Sequence, residues 1–156
     1  MIINEDQKTR INEAINFQEL LLVGMEVLNN TIAHHGEGLV EVCGPISTGG
    51  VGSREGNLEI FSDVVDRLKN DGHIIFDAVI FEKKIDRLTP LFMEEDEDYC
   101  WALLNEFYLP IFESGAIEKF FFIHGWESST WTTWEMEQAK RLDIPFVLLS
   151  ERFHLG

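Results

Sequence analysis

Two stretches of this sequence collect side chains that can do chemistry. The first is Gly44-Pro-Ile-Ser-Thr-Gly-Gly-Val-Gly-Ser-Arg-Glu-Gly56, thirteen residues with five glycines, two serines, a threonine and an arginine. So little side chain leaves backbone N–H groups exposed. With the Ser47 and Thr48 hydroxyls they can surround a phosphate while Arg54 supplies a paired charge. The loop lacks the Gly-Lys-Ser/Thr of a Walker loop and contains no GxGxxG turn, and an ordinary surface loop has the same composition. The second stretch runs from Phe120 to Ala139, where an apolar strand passes through His124-Gly-Trp-Glu-Ser-Ser-Thr-Trp131 into a helix. Glu135 lies near that helix's start. There the helix dipole favours the ionised carboxylate, which suits a nucleophile better than a general acid, although the same residue can simply improve the helix. Glu137 is two residues on and points elsewhere. Trp126, Trp131 and Trp134 can stack on a base, fill a core or line a subunit interface.

The elements that must position these loops follow from hydrophobic spacing. Ile11, Ala14, Ile15, Leu21, Met25, Leu28 and Ile32 recur at helical steps, which predicts one long or two short helices stopped by Gly36-Glu-Gly38. Leu39-Val-Glu-Val-Cys43 reads as a buried strand. Leu58, Phe61, Val64, Val65 and Leu68 mark a helix over 57–70, with Asn57 as N-cap and Gly72 beyond its end. A second strand is expected over 73–81. Residues 82–98 show no clear period and finish in Glu94-Glu-Asp-Glu-Asp98, a pattern expected of a loop and unlike the alternating ligands of a calcium loop. A helix over 99–112, strands over 117–123 and 144–149, and a helix over 132–142 complete the order. Strands alternating with helices predict one Rossmann-like or flavodoxin-like α/β domain, a parallel sheet of four to five strands flanked by helices. The expected division is an N-terminal helical extension, 1–38, and the α/β domain, 39–156. In such sheets ligands lie beyond the carboxyl ends of the strands, where both loops emerge.

Cys43-Gly-Pro-Ile-Ser47, Asn57 with Phe61 and Leu68, the Gly72 turn, and Gly125-Trp-Glu-Ser-Ser129 followed by Glu135 and Ala139 resemble the nucleoside 2-deoxyribosyltransferase-like superfamily, which includes deoxynucleoside 5′-monophosphate N-glycosidases. The resemblance spans roughly 39–150. It implies that Glu135 attacks the anomeric carbon and forms a glycosyl ester, and that Ser129 helps bind a 5′-phosphate, often across a dimer interface. It further implies phosphate and sugar contacts from the loop at Gly44, Ser47, Arg54 and Asn57, with Trp126 and Ser128 at the same pocket. The family's acidic partner has no matching Asp, which leaves Glu106 or Tyr108, and Asp77, as candidates for protonating the leaving group. Trp131-Thr132 also replaces the glycine and small residue usual between the Ser and the Glu. The expected activity is therefore cleavage or exchange of the N-glycosidic bond of a nucleoside or nucleotide. The alternative is a non-catalytic nucleotide sensor on the same fold.

Composition bounds the partners. Hydrophobic residues make up 45% and charged residues 26%, as in a folded globular chain. The formal charge of -16 repels nucleic-acid polymers and anionic membranes. No signal-like segment or apolar run of membrane-spanning length occurs, so a cytoplasmic location is expected. Cys43 and Cys100 lack CxxC spacing, and His34, His35, His73, His124 and His154 show no ligand spacing, so neither a metal nor a cofactor is expected. The exposed indoles expected at Trp126 and Trp131 predict a homodimer or larger homo-oligomer.

Overall fold

The computed structural model describes residues 1–46 and 49–153. Its elements in chain order are α1 (Glu5–Glu13), α2 (Phe17–His35), β1 (Leu39–Cys43), α3 (Arg54–Asn70), α4 (Val79–Phe92), α5 (Trp101–Leu103), a π-helical turn (Leu104–Tyr108), α6 (Leu109–Glu113), β2 (Ile117–Phe122), a 3-10 turn (Trp126–Ser128), α7 (Thr130–Arg141) and β3 (Phe146–Leu148). They divide into two compact units, one of Met1–Gly38 with Asp77–Ala116 and one of Leu39–Phe76 with Ile117–Gly156.

The first unit is helical. Two helices, α1 and α2, fill the N-terminal stretch, because Asn16 caps α2 by accepting a hydrogen bond from the Glu19 N–H. Gly36 ends α2 at φ 77°, a left-handed conformation that favours glycine. The loop expected over 82–98 is instead mostly helix. Phe81, Ile85 and Leu88 are the buried positions of α4, at steps of four and three. Reading Phe81 as the end of a strand concealed the first member of that stripe.

The second unit is α/β, among the described residues a parallel sheet of three strands in the order β1-β2-β3 with flanking helices. Val40 pairs with Lys119 and Cys43 with Phe122, which fixes the register. The strand expected over 73–81 shrinks to a single bridge. Val40 N–H donates to the Ile74 carbonyl at 2.8 Å and Phe76 N–H to the Val40 carbonyl at 2.8 Å. Beyond Phe76 the chain turns, Asp77 accepts from the Val79 N–H at 3.1 Å, and α4 begins.

Alternation sends successive side chains of β1 to opposite faces. Val40 and Val42 join Val64 and Leu68 of α3 in a core with Phe121 and Ile123. Glu41 and Cys43 face the other way, toward the inward stripe of α7, whose buried residues are Thr132, Glu135, Met136 and Ala139. All five residues of β1 are buried, as expected of a parallel strand covered on both faces. Among the described residues no helix is long and apolar enough to cross a membrane.

Candidate functional site

Glu41, Cys43 and Glu135 converge within the second unit. Each contributes one oxygen or sulfur to a cluster whose atoms lie within 4.8 Å of one another. The Cys43 thiol donates to Glu135 Oε2 at 3.3 Å, and the Glu41 carboxyl donates to Glu135 as well. Exposure is 8% for Glu41, 1% for Cys43 and 4% for Glu135. Ionising an acid in such a place costs solvation, so burial raises all three pKa values. Glu41 is pushed well up by burial and then by the neighbouring Glu135 charge. Burial and the two carboxylates push the Cys43 thiol up likewise. Glu135 rises to about 8, burial outweighing the two hydrogen bonds that favour its ionised form.

The net shift of Glu135 is therefore opposite to the sequence expectation. Ser129 is the N-cap of α7, so Glu135 stands in the second turn, where the dipole acts weakly against near-complete desolvation. Within this unit it is the acceptor of the cluster, and burial favours the protonated form of Glu41. Glu137 is exposed, about 200° away around the helix.

The glycine loop closes on protein groups. Ser53, not Asn57, caps α3, its hydroxyl accepting from the Gly56 N–H at 3.1 Å. Asn57 lies inside the helix and is 4% exposed. Its amide donates to the carbonyls of Ile46 and Gly49, each at 3.1 Å, and its Oδ1 accepts from the Val51 N–H at 3.0 Å. Gly50 N–H donates to the Ser128 hydroxyl at 2.8 Å, and that hydroxyl donates to the Gly125 carbonyl at 2.7 Å. Gly49 and Gly50 have φ of 74° and 59°, and a Cβ on either would collide with Ser128 or Asn57. Several N–H groups suited to a phosphate thus already have acceptors.

The other expected site residues have definite places. Gly44 follows β1 so close to Ile123 that an added Cβ would sit 2.8 Å from that side chain. Arg54 is exposed in the first turn of α3, and Ser47 lies outside the described residues. Ser129 is buried, its hydroxyl accepting from the Thr132 N–H at 3.3 Å. Trp126 is half-buried with its ring centroid 5.4 Å from that of Phe122. Trp131 is also half-buried, so neither indole supplies the exposed surface expected of it. Asp77 and Tyr108 belong to the first unit. Glu41 was missed as a site residue, although its signal was present: one ionisable residue in an otherwise apolar strand.

Compared with known proteins, the chain matches no family model, no curated protein and no solved structure.

Proposed function

We propose that the second unit cleaves or exchanges the N-glycosidic bond of a nucleoside or nucleoside 5′-monophosphate. Glu135 attacks C1′, the C1′–N bond breaks as the C1′–O bond forms, and the departing base takes a proton. Water or a second base then resolves the glycosyl ester and frees the carboxylate. The observation that carries this reading is Glu135 itself, a buried carboxyl on α7 that accepts hydrogen bonds from both Cys43 and Glu41. Those donors favour the anion that attack requires. Glu41, whose protonated form burial favours, is a proton source for the leaving base within the same unit. At 4% exposure Glu135 meets C1′ only when the site opens.

Base release from a panel of nucleosides and nucleoside monophosphates tests the reading. Glu135→Gln should lower turnover at least about a thousandfold, roughly 4 kcal/mol of barrier, while Glu137→Gln changes little. Because the nucleophile is the anion, turnover should rise with pH toward about 8. Arg54→Ala should weaken a monophosphate more than its nucleoside, since only the former carries the phosphate. Full activity in Glu135→Gln rejects the mechanism.

The near-complete burial of Glu135 and the internally bonded glycine loop favour a second reading, a non-catalytic nucleotide-binding protein. Nucleotide binding without base release by the wild type selects it.

A further inference from the structure

The Glu41, Cys43 and Glu135 cluster is also a donor set for a metal ion. Cys43 Sγ stands 3.3 Å from Glu135 Oε2, and all three donor atoms lie within 4.8 Å of one another. A tetrahedral ion with sulfur at about 2.3 Å and oxygen at about 2.0 Å has edges of about 3.3–3.5 Å, so the Cys43–Glu135 edge already has the required length and the edges to Glu41 need to close by at most about 1.5 Å. A second observation points the same way. Glu41 Oε2 is fully buried and has no hydrogen-bond partner, in a side chain that belongs to the cluster and is 8% exposed. Protein donors leave that oxygen unsatisfied, whereas a cation would satisfy it.

We propose that Glu41, Cys43 and Glu135 bind one thiophilic divalent cation of the zinc and cadmium class. Three protein donors leave a fourth position for water. The thiolate selects against magnesium and calcium, which prefer all-oxygen sites. On binding, the S–H and carboxyl O–H bonds break and the protons pass to solvent. One thiolate and two carboxylates then face a doubly charged ion, which leaves the buried group far closer to neutrality than three bare anions. This inference does not rest on the glycosidic reading. A bound ion occupies Glu135, so metal and nucleotide chemistry at that carboxyl exclude each other.

The test uses the full chain, freed of metal by a chelator and titrated with cadmium in the absence of nucleotide. Thiolate-to-cadmium charge-transfer absorption in the near ultraviolet should rise and saturate at one equivalent, and the midpoint of thermal unfolding should rise with it. Cys100→Ala should keep the band and Cys43→Ser should lose it. Glu41→Gln, shown folded by circular dichroism, should bind at least about tenfold more weakly. No band in the wild type at excess cadmium overturns the proposal, as does a band that survives in Cys43→Ser and disappears in Cys100→Ala. Base release plays no part in these readouts, so the two readings fail separately.

Discussion

A carboxyl held above its ordinary pKa leaves a thermodynamic trace whether or not it is catalytic. Glu135 shifts from an ordinary value near 4.5 to about 8 in the fold. The folded state therefore keeps a proton that the unfolded chain gives up. Stability from this group is fully present below the unfolded pKa and is lost as pH rises toward about 8, at most about 1.4 kcal/mol per pH unit for one proton. Glu41 shifts in the same direction and steepens the loss. Denaturant unfolding between pH 4.5 and 8, with a chelator present, should show stability falling across that window. Glu135→Gln should flatten the slope and raise stability at the alkaline end. A wild type whose stability rises through the same window would mean that the pair is ionised in the folded protein.

The elements around the cluster show which parts of the fold were legible. β1 runs over the five residues expected, because a short β-branched run bounded by glycines has few other solutions. The helices α3 and α7 and the strands β2 and β3 lie within a few residues of their expected places. Their patterns repeat often enough to outweigh uncertain ends. What the sequence did not disclose were matters of pairing. Asn57 has the composition of a cap, yet it acts as a clamp, because the preceding loop folds back and offers it two carbonyls and an N–H. Glycines that read as a phosphate cradle are required by the close approach of Ser128 and Asn57. Asn57→Ala removes three hydrogen bonds worth about 0.5–1.5 kcal/mol each and should destabilise the protein by about 2–4 kcal/mol, whereas Ser128→Ala should cost about 1 kcal/mol. Urea midpoints measure both. A cost for Asn57→Ala no greater than for Ser128→Ala would show that the clamp contributes little.

For the whole molecule, the apolar surface available to a partner differs from the one expected. Trp126 and Trp131 are half-buried, while Phe146, Val147 and Leu148 of the edge strand β3 are exposed. An apolar strand with one unpaired edge is a ready template for association. We therefore expect self-association through β3, strengthened by salt because a net charge of -16 otherwise drives copies apart. Sedimentation should show a species heavier than the 18.0 kDa chain, shifted toward monomer by Val147→Lys. A wild type that stays monomeric at micromolar concentration and high salt rejects this.

The interleaving of the two units sets a timetable for folding. During synthesis β1 and α3 emerge early, but the strand that pairs with β1 begins only at Ile117, the residue after the first unit ends. Closing so long a connection costs about 4 kcal/mol of chain entropy before any pairing is gained. The helical unit, rich in local contacts, has all of its chain by Ala116 and can form first. The sheet must wait with Val40 and Val42 lacking their β2 neighbours. Until β2 emerges, a nascent β1 therefore remains open to chaperones, proteases and other unfinished chains.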